Sequence, residues 1–79
     1  MANPLNKQPE LKQLIQEEVD QRIWDNDPPE IKPTLERLET AGYSRPKTVE
    51  RIERVLARTY LERDGFDQER FVKLLKELT

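Results

Sequence analysis

Apolar residues recur along this chain at intervals of three and four, the spacing that lines one face of an α-helix. Leu11, Leu14, Ile15, Val19 and Ile23 form the first stripe, with Asn6 as its expected cap, Pro9 in its first turn and Trp24 at its end beside Ile23, where it would close one end of the core. Residues 1–8 are expected to fray. A second stripe places Ile31, Leu35, Leu38 and Ala41 on one face and stops at Gly42, the residue type that suits a left-handed C-terminal cap. The third predicted helix opens with Ser44 as cap and Pro46 in its first turn. It carries Val49, Ile52, Val55, Leu56, Thr59 and Tyr60 inward and ends at Asp64 and Gly65. The fourth has Asp67 as cap and Phe66 before it, placed to staple onto Phe71, with Val72, Leu74, Leu75 and Leu78 continuing the apolar face.

No segment alternates apolar and polar residues in the manner of a strand. Connections of only a few residues favour neighbouring helices packed roughly antiparallel around one shared core. The expectation is a single all-α domain over residues 1–79, a compact four-helix fold.

The stretch Trp24 to Pro33, "WDNDPPEIKP", is the most heavily punctuated part of the chain, with three of its six prolines. Asp25, Asp27 and Glu36 fall at positions 1, 3 and 12 of a calcium loop, but position 6, which needs glycine, would be Glu30. Local chemistry explains the same residues better: "DPPE" has the form of a capping box, with Asp27 as cap and Glu30 three residues on. A helix capped at Asp27 would put Pro33 at its sixth position, where the ring clashes with a carbonyl one turn back at a cost of about 3 kcal/mol. A tight turn across Pro28 to Ile31, with the regular helix starting near Lys32, removes that conflict.

Composition narrows the chemistry. The 79 residues are 34% hydrophobic and 38% charged, yet 14 basic residues nearly balance 16 acidic ones, for a net charge of −2. Such a short chain buries only about 60% of the surface it exposes when unfolded. There is no cysteine and no histidine, hence no thiolate nucleophile and no imidazole base or ligand. The two glycines stand alone, so there is no glycine-rich phosphate loop. No apolar run is long enough for a membrane span or a secretory signal, which makes the cytoplasm the expected location. Neither a catalytic constellation nor a cofactor or metal site is expected, and the chain reads as a non-enzyme.

Two surfaces stand out as candidates for binding. Trp24 and Tyr43 sit at helix ends beside turns, where an aromatic side chain serves either as a lid on the core or as an anchor for a partner, another protein or a second copy of the chain. Arg45, Lys47, Arg51, Arg54 and Arg58 step along the third helix as a basic stripe that could follow nucleic-acid phosphates. The same stripe is interleaved with Glu50, Glu53 and Glu62, which form favourable pairs with it on a solvated face. The segment from Thr34 to Ile52 has the outline of a helix-turn-helix, but only Arg45 and Lys47 stand where base edges would be read. The leading expectation is therefore a small helical protein-interaction module, with weak nucleic-acid binding as the alternative.

Several residues together carry a family likeness: Trp24 with "DPPE" from Asp27, "RL" at Arg37, "AGY" at Ala41 with Arg45 following, and "FDQERFVKLL" from Phe66. Over Trp24 to Leu78 the chain resembles an uncharacterised bacterial helical family, domain of unknown function eighteen forty-one. The resemblance implies a compact helical fold and brings no established activity. The family tends to place histidine and acidic residues after "GY-x-R", where this chain has Pro46 and Lys47. Any histidine-dependent property of that family is therefore absent here.

Overall fold

The computed structural model describes residues 9–62 and 66–78. They form four helices in chain order: α1 (Pro9–Asp25), α2 (Ile31–Thr40), α3 (Arg45–Glu62) and α4 (Gln68–Glu77), with no strand among the described residues. Asn6, Asp64 and Gly65, expected at helix boundaries, lie outside the described residues, as do residues 1–8. The radius of gyration is 12.0 Å, close to the value of about 11.6 Å for a compact chain of this length.

The first turn is set by Asn26. Its φ is 51°, the left-handed region that asparagine enters more readily than other residues bearing a Cβ. With the backbone so bent, the Asn26 N–H donates to the Ile23 carbonyl at 3.2 Å and the Asp27 N–H to the Arg22 carbonyl at 3.0 Å. These are the two bonds of a Schellman motif, and they take up carbonyls that the end of α1 would otherwise leave unpaired. Gly42, at φ 106°, does the same for α2. Its N–H donates to the Glu39 carbonyl at 3.0 Å and the Tyr43 N–H to that of Leu38 at 3.1 Å. The glycine cap follows the sequence expectation, whereas the asparagine cap had been missed.

Between Asn26 and α2 the Asp27–Pro28 peptide is cis and Pro28 is fully buried. A turn closes from the Ile31 N–H to the Pro28 carbonyl at 3.0 Å, and the helix then begins at Ile31. Pro33 is its third residue, where no intrahelical acceptor awaits the missing N–H. The expected capping box does not form. Glu30, not Asp27, holds the N-cap position, with helical dihedrals and no side-chain cap bond. Asn26 supplies the cap from a distance, its Oδ1 accepting from the Lys32 N–H at 3.2 Å. The caps expected for the later helices are present: Ser44 Oγ accepts from the Lys47 N–H at 3.4 Å, and Asp67 Oδ1 from the Arg70 N–H at 3.3 Å.

α3 is the central helix and packs against each of the other three. Ile52 and Leu56 on α3 are fully buried and meet Ile15 and Val19 of α1, Ile31 and Leu35 of α2, and Phe71 and Leu75 of α4 in one core, and Thr59 of α3 is fully buried as well. The Thr59 hydroxyl donates to the Val55 carbonyl at 2.9 Å, which makes its burial tolerable. Phe66 packs edge-on to Phe71 with centroids 5.8 Å apart, as the expected staple requires. Two members of the predicted core stripes are exposed. Leu14 is 62% exposed because it stands about 100° around α1 from Ile15, beyond the edge of the buried face. Ala41, the C-cap residue of α2, is exposed.

Two arginines tie the helices together. On α2, Arg37 donates from Nε to the Leu78 carbonyl at 2.9 Å and from Nη2 to the Leu75 carbonyl at 2.7 Å, capping the C-terminal end of α4. A cation there also meets the negative end of the helix dipole. On α1, Arg22 lies over the rings of Phe66 and Phe71, at 4.6 and 5.3 Å from their centroids. It donates from Nε to Glu18 at 3.0 Å, whose other carboxylate oxygen accepts from the Tyr60 hydroxyl at 2.9 Å.

Two urea-denaturation experiments check these junctions. Asn26→Ala loses the Lys32 bond and keeps a strained φ, and should cost roughly 2 kcal/mol, whereas Asn26→Gly, which relieves φ, should cost less than about 1 kcal/mol. Arg37→Met, which leaves two helix-end carbonyls without their charged donor, should lower stability by about 1.5–3 kcal/mol.

Candidate functional site

The helix phase that buries Ile15 and Val19 and packs Ile23 against the core turns the next residue away from it. Trp24 is 86% exposed, so the expectation that it closes the end of the core is corrected. Its position is nonetheless fixed, since the Schellman turn follows two residues later. Trp24 forms one wall of an open groove of about 260 Å³ whose apolar floor is Ile23 of α1 and Leu35 of α2. Lys32 and Glu36, exposed on α2, stand at its rim, and the ion pair of Glu39 with Arg45 at 2.9 Å closes one end.

Tyr43 is half-buried and engaged. Its ring lies 4.8 Å from the Arg51 guanidinium and its hydroxyl accepts from Arg51 Nη1 at 2.8 Å. This aromatic holds an arginine of α3 in place, and it is not among the residues that line the Trp24 groove.

The basic stripe on α3 is largely matched by counter-charges. Arg45 pairs with Glu39, Lys47 with Glu50 at 3.7 Å, Arg54 with Glu50 at 2.8 Å, and Arg58 with Glu62, which Arg70 also approaches at 3.0 Å. Hydrogen bonds from Arg58 and then Arg70 hold the Glu62 carboxyl below its ordinary range. Arg51, the fifth cation of the stripe, is committed to Tyr43. A phosphate approaching this face would have to compete with glutamates already in place, and exposed pairs of this kind add at most about 1 kcal/mol each to stability.

A second groove, of about 380 Å³, runs between α1 and α3 and is lined by Leu11, Leu14, Ile15, Glu18, Tyr60 and Leu61. Leu61 is 50% exposed. The Tyr60 hydroxyl is shifted upward, first by burial and then by its hydrogen bond to Glu18. Glu18 is committed to both Tyr60 and Arg22, so the one carboxylate lining this groove is already satisfied.

Among the described residues no cluster of three or more metal-ligating side chains forms. Asp25, the first position of the calcium-loop spacing in the sequence, accepts from Gln21 Nε2 at 3.0 Å. Among the described residues one carboxyl is shifted upward: burial first, then the neighbouring charges of Asp20 and Glu50, push Glu53 above its ordinary range, with Lys12 opposing. Glu53 lines neither groove, and its shift comes first from its partial burial and only then from the acidic groups near it. No helix of the described residues is long and apolar enough to cross a membrane.

Comparison with known proteins adds nothing to this geometry: no family model, no curated protein and no solved structure matches the chain. The resemblance to the helical family of unknown function therefore rests on the residues quoted for it alone.

The raised Glu53 has a pH consequence. A carboxyl whose folded-state affinity for protons exceeds its unfolded one costs stability when ionised, and the cost disappears as pH falls through the folded and then the ordinary glutamate range. Glu53→Gln should therefore raise the thermal midpoint slightly at pH 7, by an amount corresponding to no more than about 0.5 kcal/mol for a group this open to solvent. The gain should vanish near pH 4, as melting curves at the two pH values would show.

Proposed function

We propose that this chain is a non-enzymatic, cytoplasmic protein-interaction module whose contact surface centres on Trp24 and the groove beside it. The exposure of Trp24 carries the reading. An indole is among the residue types that most often dominate binding energy at protein interfaces, and this one is held outside the core next to an apolar depression. Tyr43, committed to Arg51 in the second turn of α3 and outside the groove lining, has weaker support as a contact residue. The alternative, nucleic-acid binding along α3, has weaker support because Arg45, Lys47, Arg54 and Arg58 already face glutamates.

Comparative capture tests the proposal. The wild-type chain and Trp24→Ala are used as baits in the same native lysate, after confirming that the variant unfolds within about 0.5 kcal/mol of wild type, as expected for an exposed side chain. At least one protein retained by wild type should be lost with Trp24→Ala, and identical captured sets would remove the basis for the reading.

A further inference from the structure

We propose that the Trp24 groove is occupied by the same surface of a second copy of this chain, the two copies being related by a twofold axis. The inference rests on the interaction reading above and names the partner. Three features of the groove lead to it.

The first is size. At about 260 Å³ the groove is smaller than the pockets of about 300–1,000 Å³ that hold drug-sized molecules. A closed cavity of about 150 Å³ accepts a benzene ring, so this open depression suits one large side chain. The second is that a suitable side chain stands at its own edge. Trp24 both walls the groove and projects into solvent, so a twofold axis beside it brings each indole to the other copy's floor of Ile23 and Leu35. A twofold interface needs such self-complementarity, with the same patch serving as donor and receiver.

The third is charge. Of the four charged residues around the groove, Glu39 and Arg45 already pair with each other, and no ion pair among the described residues engages Lys32 or Glu36. Lys32 and Glu36 are one helical turn apart on the exposed side of α2. When two such helices lie antiparallel across a twofold axis, Lys32 of each copy faces Glu36 of the other, and both charges are met twice over. A strongly acidic or strongly basic partner would satisfy one of them and repel the other.

Sedimentation of the full chain over a range of concentrations at low salt, with Trp24 fluorescence recorded on the same samples, tests the proposal. Wild type should pass from monomer to dimer as concentration rises, while the emission of the water-exposed indole moves to the blue. Trp24→Ala should weaken association by about 30-fold or more, the loss corresponding to a central hot-spot residue. The decisive arm is charge reversal. Lys32→Glu and Glu36→Lys should each be monomeric alone, because each sets like charges against each other. Their equimolar mixture should dimerise, because Glu at 32 then faces Lys at 36 while Glu36 of one copy faces Lys32 of the other. A wild-type chain that stays monomeric throughout, a dimer indifferent to Trp24→Ala, or a mixture no more associated than its components would each overturn the proposal. If the copies do not associate but Trp24 still governs capture from lysate, only the identity of the partner is wrong. If both fail, the interaction reading fails with it.

Discussion

The arrangement of α1 and α2 depends on one asparagine in a left-handed backbone. At φ 51°, Asn26 lets two N–H groups fold back onto the last turn of α1, and its side-chain oxygen reaches the first turn of α2. A single residue thus ends one helix and opens the next. The chain between them is left with little freedom, because Pro28 is buried and the Pro28 carbonyl closes the turn that leads into Ile31. The groove beside Trp24 follows from the same junction: its floor comes from Ile23 on one side of the turn and Leu35 on the other, and Asn26 itself forms part of its lining.

In a domain of this size the apolar core is helped by a few well-placed polar ties, and their placement matters more than their number. Arg37 and Arg22 lie partly buried, with their hydrogen bonds directed at backbone carbonyls or at a carboxylate held by a second partner. Charge-assisted bonds in such surroundings contribute about 1.5–3 kcal/mol. Arg22 also rests its guanidinium on two aromatic faces, so the charge is stabilised without being stripped of polar partners. The longer series of pairs along α3 lies at the surface, where water and salt screen each contribution. The basic stripe that is conspicuous in the sequence therefore holds little together, while two arginines outside it join α1 to α4 and α2 to α4.

What could be read from the sequence divides along the same line between local and distant causes. Four helices, their buried faces and the caps at Gly42, Ser44 and Asp67 were legible because each is written in residues within one or two turns of the element concerned. A helix start near Lys32, one residue past the observed start at Ile31, was legible from Pro33, whose ring disfavours a regular start at Asp27. The Asn26 cap was hidden by a competing local signal, since Asp27, Pro28, Pro29 and Glu30 match a capping box and Asn26 reaches across them to Lys32. Leu14 and Trp24 were misplaced for a different reason. Each adjoins a core residue in sequence, and a step of one residue turns the side chain about 100° around the helix. The partners of Arg37 lie 38 and 41 residues away, a distance over which no spacing rule operates. The groove, assembled from the end of α1, the face of α2 and the start of α3, has no linear signature for the same reason.

The placement of Trp24 bears most directly on the proposed function. Among the described residues Phe71 is the one fully buried aromatic, and burying a large apolar side chain contributes about 1.5–3 kcal/mol. Leaving the tryptophan outside forgoes the largest such contribution available to a small core. That loss is inherent in the helix phase, since any shift that buried Trp24 would turn Ile15 and Val19 outward. It also leaves the indole well prepared for association, because its backbone is the last turn of a helix locked by the Asn26 cap. An anchor held in this way surrenders less conformational freedom on binding than one on a mobile loop, so more of its apolar surface is expressed as affinity. The asparagine that ends α1 therefore shapes the groove and steadies the residue beside it.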